Sequence, residues 1–175
     1  MAVITVGIMK TLYDFLDDET IGMAMEEVEY LKSSAVWRTS SNVWPKSLTD
    51  GAITGTVSQA FCGEELSKRA IELITPYIPK CNNISVQHYL WHPLSGINMH
   101  NDSGAIFGAT IYLTPEWNIN WGGLFVYEDA EVGELRINFP YFNSININTR
   151  KIRHMVTTVS PLTPYPRHTL QIWGE

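Results

Sequence analysis

Three side chains of this sequence could together bind a metal ion: His100, Asp102 and His154. One residue separates His100 from Asp102, and alternate residues of a strand point to the same face of a sheet. His154 begins a β-branched, apolar stretch, where a buried imidazole needs a polar partner. Two imidazoles and one carboxylate with open coordination positions are typical of non-heme Fe(II) sites.

A guanidinium group follows the second imidazole and could bind an acidic molecule. Arg167 begins a predicted strand in which Thr169, Gln171 and Trp173 share its face, so polar groups lie on one side. A planar guanidinium binds a carboxylate through two parallel hydrogen bonds. Arg167 is therefore a candidate partner for an acidic co-substrate. The alternative is an exposed arginine at the start of a strand.

The residues that must position these side chains belong to a β-rich segment. From residue 84 onward, short runs of aromatic and β-branched residues are separated by the turn-forming residues Gly, Pro and Asn, which predicts short strands. The predicted strands are Ile84–Leu90, Ile97–His100, Ile106–Leu113, Gly123–Tyr127, Glu134–Asn138, Ser144–Ile147, Arg153–Val159 and Thr169–Trp173.

Two helices are expected before these strands. The first, about Asp17–Leu31, begins with acidic residues suited to an N-cap and a first turn. Its apolar positions recur at helical spacing: Ile21, Met25, Val28 and Leu31. The second, about Gly63–Leu73, ends before Pro76. Ser40–Thr56 between them is predicted to be a loop or short hairpin, and the first ten residues a strand.

This order of elements predicts a mainly β fold with supporting helices. Eight short strands after a helical lead-in indicate a jelly roll, with the N-terminal helices packed on one outer face. The length of 175 residues suits a single domain over 1–175, in which 1–83 supports a β core formed by 84–175.

Composition narrows the possible partners. The net charge is −6, which argues against nucleic acid or an anionic membrane as the main partner. No apolar run approaches the ~18 residues of a membrane helix, and the N-terminus lacks the pattern of a signal peptide. Cys62 and Cys81 are too few for a disulfide framework. We therefore expect a soluble cytoplasmic protein with reduced thiols.

Several ordered motifs between Val86 and Trp173 resemble the Fe(II)- and 2-oxoglutarate-dependent dioxygenases, and within them the prolyl-4-hydroxylase-like branch. The pieces that carry the resemblance are Tyr89 and Gly96, His100-Asn101-Asp102, Ile111-Tyr112-Leu113 with Trp117, Trp121-Gly122-Gly123-Leu124, His154-Met155-Val156, and Arg167-His168-Thr169-Leu170-Gln171-Ile172-Trp173. The chain departs from the family's pattern in two places. Thr114 stands where Asn is usual, and Arg167 lies thirteen residues after His154, further than is usual.

The resemblance implies a fold, a pair of cofactors and a set of site residues. The fold would be a cupin-like double-stranded β-helix, with Fe(II) held by His100, Asp102 and His154. Arg167 and Tyr112 would bind the distal carboxylate of 2-oxoglutarate. The side chains that would line the same pocket are Thr110, Val156, Gln171 and Tyr89. Each of these lining residues also fits as ordinary core packing.

The activity implied by the resemblance is hydroxylation of a C–H bond, with release of succinate and CO2. The substrate would be a prolyl residue of a peptide or protein, a free amino acid or another small molecule, and ascorbate would be a supporting reductant. Asp102 is present, which favours hydroxylation over halogenation. Two alternatives stay open: a cupin-like metal-binding domain without catalysis, and a structural zinc module, for which the sequence offers no convincing fourth ligand.

Overall fold

The computed structural model describes residues 3–6, 9–34, 38–40, 46–49, 53–129 and 131–175. These residues form two antiparallel β-sheets and two α-helices. Part of the predicted Ser40–Thr56 loop lies outside the described residues. Within the described ranges, no helix has the length and apolar character needed to cross a bilayer.

The larger sheet has eight strands and carries most of the core. Its strands, in chain order, are β1 (Val3–Val6), β2 (Met9–Leu12), β3 (Arg38–Ser40), β4 (Val57–Phe61), β5 (Ile84–Trp91), β7 (Phe107–Tyr112), β10 (Ile145–Asn148) and β12 (Arg167–Gly174). Their order across the sheet is β1-β2-β10-β7-β12-β5-β4-β3. The C-terminal strand β12 therefore lies between β7 and β5, near the centre of the sheet.

The smaller sheet has four strands: β6 (Ile97–His100), β8 (Phe125–Asp129), β9 (Glu134–Asn138) and β11 (His154–Val156). Their order is β6-β11-β8-β9, so β11 lies next to β6 although more than fifty residues separate them in the chain. From β5 onward the chain passes back and forth between the two sheets. This arrangement is the predicted jelly roll, and all eight strands predicted after residue 83 are present.

Two helices precede β5, as predicted. α1 (Asp18–Ser33) is capped by Asp17, whose carboxylate accepts a hydrogen bond from the Thr20 backbone N–H at 2.7 Å. α2 (Glu64–Ile74) is followed by a short 3₁₀ turn, Thr75–Tyr77. In the first half of α1 the buried positions are Thr20 and Ala24, each one residue before the predicted Ile21 and Met25, because small residues face the sheet. The buried positions are Thr20, Ala24, Val28 and Leu31.

The two faces of the larger sheet have different partners. One face shares an apolar cluster with side chains from both helices, including Leu170 and Ile172 of β12. The other face looks toward the smaller sheet, and a second cluster containing Tyr89, Tyr112 and Phe125 lies between the sheets. Alternation along β12 therefore sends Arg167 between the sheets and its neighbour, His168, toward the helices.

The first half of the jelly roll contains strands that the sequence analysis did not predict. β3 and β4 pair with each other, and β4 pairs with β5 along Val57–Phe61. Apolar and polar residues do not alternate regularly along β4, because the polar Ser58 is buried. Its hydroxyl lies 2.8 Å from Nε2 of His92, which gives this polar group a partner. The predicted N-terminal strand is a hairpin of β1 and β2.

A chain of polar groups connects α1 to the helix-facing side of the larger sheet. Nε2 of the fully buried His88 lies 3.1 Å from Oε2 of Glu27, and its Nδ1 lies 3.0 Å from Nε2 of His168. Nδ1 of His168 is buried without a hydrogen-bond partner among the described residues. Burial, reinforced by His88 and Lys32, lowers the pKa of His168 well below its ordinary value of 6.5.

We expect acid to destabilise the metal-free protein through His168. The folded imidazole stays neutral while the unfolded one takes up a proton below pH 6.5, so stability is complete above that pH and is lost as pH falls. One such proton changes the free energy of unfolding by about 1.4 kcal/mol per pH unit. The measurement is the free energy of unfolding from urea titrations between about pH 5 and pH 8, with chelator present. It should depend less steeply on pH in His168→Gln than in the unsubstituted protein. Parallel profiles would assign the proton uptake to other groups.

Candidate metal and anion site

The three predicted metal ligands lie together between the sheets. His100 ends β6, His154 begins β11, and the two residues are paired directly across the strands. Asp102 lies two residues beyond the end of β6, in a turn, and its carboxylate points back toward both imidazoles. Its Oδ1 is 3.5 Å from Nε2 of His100, and its Oδ2 is 3.5 Å from Nε2 of His154. One ligand atom from each residue can therefore reach a common point.

Backbone carbonyls fix the orientation of both imidazoles. Nδ1–H of His100 donates to the carbonyl of Asn98 at 2.7 Å, and Nδ1–H of His154 donates to the carbonyl of Ile152 at 2.8 Å. Because each Nδ1 carries the proton, each Nε2 presents its lone pair to the central point. This hydrogen bonding of the second nitrogen is typical of metal-binding histidines.

Asn148, at the end of β10, organises the turn that presents His154. Its side-chain oxygen accepts hydrogen bonds from the backbone N–H groups of Arg150 and Ile152, and its amide nitrogen donates to the carbonyl of Ile152. The carbonyl that orients His154 is thus held by a buried side chain. The sequence analysis missed this residue, although alternation in Ile145-Asn146-Ile147-Asn148 places polar side chains toward the site.

The electrostatic environment differs between the two imidazoles. Burial disfavours the charged form of His100, but the hydrogen bonds to Asp102 and to the Asn98 carbonyl outweigh it and raise its pKa. At the more buried His154, desolvation outweighs the attraction of Asp102 and lowers the pKa. His154 is therefore kept in the neutral form that binds a metal.

Gly108 on the neighbouring strand leaves room for the carboxylate. A Cβ at Gly108 would lie 3.1 Å from Oδ2 of Asp102 and 2.7 Å from the ring of Trp173. A side chain there would press the carboxylate and the indole against each other. The glycine therefore permits the close approach of β7 to the metal ligands.

Arg167 is the largest fully buried polar side chain of the site, only 1% exposed. Its guanidinium carbon lies 4.9 Å from the centre of the Trp91 ring and 5.5 Å from that of Tyr112, and one NH group donates to the carbonyl of Gly123. Its Nε has no hydrogen-bond partner, and no carboxylate among the described residues lies within ion-pair distance.

Within the part of the chain that the structure describes, this guanidinium is a buried positive charge without a counter-ion. Burial lowers the pKa of Arg167 to about 10, so the group is still charged at neutral pH. The two aromatic rings offer partial compensation through cation–π contact. A buried charge that lacks a paired anion is costly, so the arrangement favours binding of an anionic group beside Arg167.

The other predicted co-substrate residues surround the same space. Tyr112 is fully buried, burial raises its pKa to about 12, and its hydroxyl accepts a hydrogen bond from Asn146 at 2.9 Å. It is therefore a neutral phenol whose own proton can be donated. The hydroxyl of Thr110 donates to Oε1 of Gln171 at 2.9 Å, which leaves the amide nitrogen of Gln171 available to another acceptor.

One cavity connects His100 and His154 to Arg167; Asp102 is not among its lining residues. The predicted residues that line it are His100, Thr110, Tyr112, His154, Val156, Arg167, Gln171 and Tyr89. The four other lining residues are Trp173, which the sequence analysis placed on the same face as Arg167, and three that it did not select: Trp91, Ile97 and Phe125. Trp91 could have been found, because it is two residues after Tyr89 and therefore faces the same side of β5.

The Gly122-Gly123 motif connects Arg167 to the smaller sheet. Both glycines have positive φ, +65° and +62°, and a Cβ at Gly122 would lie 2.1 Å from the carbonyl oxygen of Thr158. This approach permits only glycine at position 122. It brings the Gly123 carbonyl to the guanidinium of Arg167.

No protein-family model matches the chain, and no curated protein matches it. Solved structures, in contrast, do match the chain. A prolyl hydroxylase from Trichoplax adhaerens, solved in complex with a hypoxia inducible factor oxygen degradation domain peptide fragment, is 18% identical with a TM-score of 0.76. That match covers 97% of this chain and 84% of the other. A Pseudomonas putida prolyl-4-hydroxylase is 12% identical with a TM-score of 0.73, over 97% of this chain and 94% of the other.

A third similar structure has a different activity. The non-heme alpha ketoglutarate dependent epimerase SnoN from nogalamycin biosynthesis is 12% identical with a TM-score of 0.68, over 97% of this chain and 79% of the other. At these identities the likeness establishes the fold. The chain shares the jelly-roll fold of these three structures.

Proposed function

We propose that the chain is an Fe(II)- and 2-oxoglutarate-dependent dioxygenase that hydroxylates a C–H bond and releases succinate and CO2. One observation carries the proposal: the cavity lined by His100 and His154, which Asp102 approaches to 3.5 Å, also contains a buried arginine that has no counter-ion among the described residues. The first feature suits a divalent metal with open positions. The second suits the carboxylate of an acidic co-substrate, and a metal-binding domain without catalysis would not need it.

His100, Asp102 and His154 would hold Fe(II) through two nitrogens and one oxygen. This donor set fits the metal, because three ligands leave coordination positions open. When bound, Fe(II) supplies the oxygen chemistry, which amino-acid side chains cannot perform. The contribution of the protein is to hold each Nδ1–H on a carbonyl, that of Asn98 or Ile152, so that each Nε2 faces the place that the metal would occupy.

Arg167 would pair with the distal carboxylate of 2-oxoglutarate. The phenol of Tyr112, held by Asn146, would donate a further hydrogen bond to the same group. The amide nitrogen of Gln171, oriented by Thr110, is a third donor in the same cavity.

Two apolar or aromatic groups would complete the walls of this pocket. Val156 follows His154 on the same face of β11, and Tyr89 lies opposite on β5. These walls would exclude water from the pocket. The local dielectric would then be low, and the ion pair between Arg167 and the bound carboxylate would be stronger.

The finer proposal for the substrate is a prolyl residue of a peptide or protein, with a free amino acid or other small molecule as the alternative. The prolyl hydroxylase from Trichoplax adhaerens was solved with a peptide, which supports the peptide class. The fold also serves an epimerase from nogalamycin biosynthesis, which supports the small-molecule class. Ascorbate is proposed as a supporting reductant.

An anaerobic titration with Fe(II) and then 2-oxoglutarate tests the proposal. The bound pair gives a weak visible charge-transfer band, and admission of oxygen should then yield succinate. Folded protein that binds Fe(II) but gives no band with 2-oxoglutarate would contradict the oxygenase function. A band without succinate formation would instead identify a metal-binding domain without catalysis. Peptide and free-amino-acid substrates are then compared by their stimulation of succinate release.

A further inference from the structure

A second group of metal-binding side chains lies on the opposite face of the larger sheet. Glu27 of α1, Cys62 between β4 and α2, and His88 of β5 each bring one ligand atom within 4.8 Å of the others. His88 points to the helix-facing side of β5, whereas its neighbour Tyr89 points to the cavity between the sheets. This group is therefore separated from His100, Asp102 and His154 by the sheet itself.

We propose that Glu27, Cys62 and His88 form a second metal site, which binds Zn²⁺ or a similar thiophilic divalent cation. A thiolate, an imidazole nitrogen and a carboxylate oxygen are all ligands that zinc accepts in proteins. Metal binding would release the thiol proton of Cys62 to solvent. The resulting thiolate and the carboxylate of Glu27 carry two negative charges, which a divalent ion would neutralise. Three protein ligands would leave a fourth position for water or another small ligand.

The surroundings of the cluster favour a formed site over a chance approach. A backbone N–H of Gly63 donates to Oε2 of Glu27 at 3.0 Å, which aims the carboxylate at the cluster. His88 is fully buried, whereas Glu27 is 30% exposed and so provides the route by which a cation enters. The three ligands come from three separate elements, so a bound ion would connect α1 to the sheet.

His168 supplies the outer partner that a ligating histidine needs. Nδ1 of His88 lies 3.0 Å from Nε2 of His168, so Nδ1 can carry the proton while Nε2 binds the metal. Without metal, Nε2 of His88 is 3.1 Å from Glu27, which favours a proton on Nε2. Metal binding would therefore move the proton of His88 from Nε2 to Nδ1, and that of the neutral His168 from Nε2 to Nδ1, so that Nε2 of His168 becomes the acceptor.

Co(II) is the probe for this site, because cobalt bound to a thiolate gives a strong near-ultraviolet charge-transfer band. The full-length reduced protein should show that band on titration with Co(II), and Zn(II) should remove it by displacement. The triad of His100, Asp102 and His154 contains no sulfur, so Co(II) bound there does not contribute. The band should therefore persist in a His154→Ala variant, which separates this proposal from the proposed oxygenase function.

The two cysteines provide a matched pair of variants. Cys62→Ser should lose the band and weaken Zn(II) binding by at least ~100-fold, since loss of an outer partner alone costs 10–100-fold. Cys81→Ser, which changes the other free thiol, should keep both. Glu27→Gln retains a hydrogen-bond acceptor for His88 on the helix surface, and should weaken binding while the fold, checked by circular dichroism, is kept.

Three results would overturn the proposal. One is the absence of the thiolate band in folded, reduced wild-type protein at excess Co(II). A second is a band that survives in Cys62→Ser. The third is loss of the band in Cys81→Ser but not in Cys62→Ser, which would place the thiolate ligand elsewhere. In each case the contact between Glu27 and His88 would be a purely structural hydrogen bond.

Discussion

Replacement of His154 by alanine should lower Fe(II) affinity and succinate formation by at least ~100-fold, because loss of an outer partner alone already costs 10–100-fold in metal sites. His154 is the more buried of the two imidazoles, and burial lowers its pKa, so it is the ligand most firmly kept in the neutral state. Without it, only His100 and Asp102 would be left to hold the ion. The measurement is the anaerobic Fe(II) and 2-oxoglutarate titration, followed by succinate quantification.

His92→Ala is the matched control for this substitution. His92 is also a partly buried histidine with one hydrogen-bond partner, the hydroxyl of Ser58, but it does not line the cavity. Its removal should leave Fe(II) binding and succinate formation unchanged. If folded His154→Ala retains the charge-transfer band, the metal is bound by a different set of ligands and the triad proposed from the sequence is wrong.

Arg167→Met should have opposite effects on binding and on stability. The affinity for 2-oxoglutarate should fall by about 30-fold or more, since removing one partner of a buried charged pair costs about 2–5 kcal/mol. The metal-free protein should become more stable, by about 1 to 4 kcal/mol, because methionine fills similar volume without burying a charge. The gain is expected because the guanidinium lies without a counter-ion among the described residues.

Both effects can be measured in one series. Urea unfolding without ligand gives the change in the free energy of unfolding, and the rise in melting temperature with added 2-oxoglutarate reports binding. Arg69→Met, at a helix surface where the arginine pairs with Glu19 and Glu65, should leave 2-oxoglutarate affinity unchanged. Unchanged affinity in Arg167→Met would place the distal carboxylate elsewhere. Lower stability would mean that the Gly123 contact outweighs the buried charge.

Strong local patterns made the second half of the fold predictable. Most strands from β5 to β12 contain apolar or aromatic runs bounded by Gly, Pro and Asn, and all eight were predicted. Their bounds agree within two residues except at β11, which ends at Val156 and not at Val159. β3 and β4 were not predicted, because β4 is defined by its pairing with β5 and carries polar residues such as Ser58. Pairing between distant segments leaves little trace in a local pattern.

The site residues that were predicted have a distinctive chemistry, whereas those that were missed depend on contacts with distant parts of the chain. His100, Asp102, His154 and Arg167 are residue types whose chemistry suggests a role wherever they occur on a strand. Trp91 could have been placed on the cavity side by its spacing from Tyr89, but its ring contact with Arg167 is visible only in the structure, as is the hydrogen bond from Asn146 to Tyr112. An aromatic or an asparagine in an apolar strand has too many ordinary explanations for sequence alone to select it.

The unusual separation of His154 and Arg167 along the chain has a simple architectural basis. β11 is hydrogen-bonded to β6 and β8 in the smaller sheet, whereas β12 is hydrogen-bonded to β5 and β7 in the larger one. The turn between them runs over the surface, with Leu162 84% exposed. Each strand is thus anchored by its own neighbours, and the turn acts as a spacer of adjustable length. Insertions there should be tolerated without displacing either functional group, so sequence distance across this turn is free to drift during evolution.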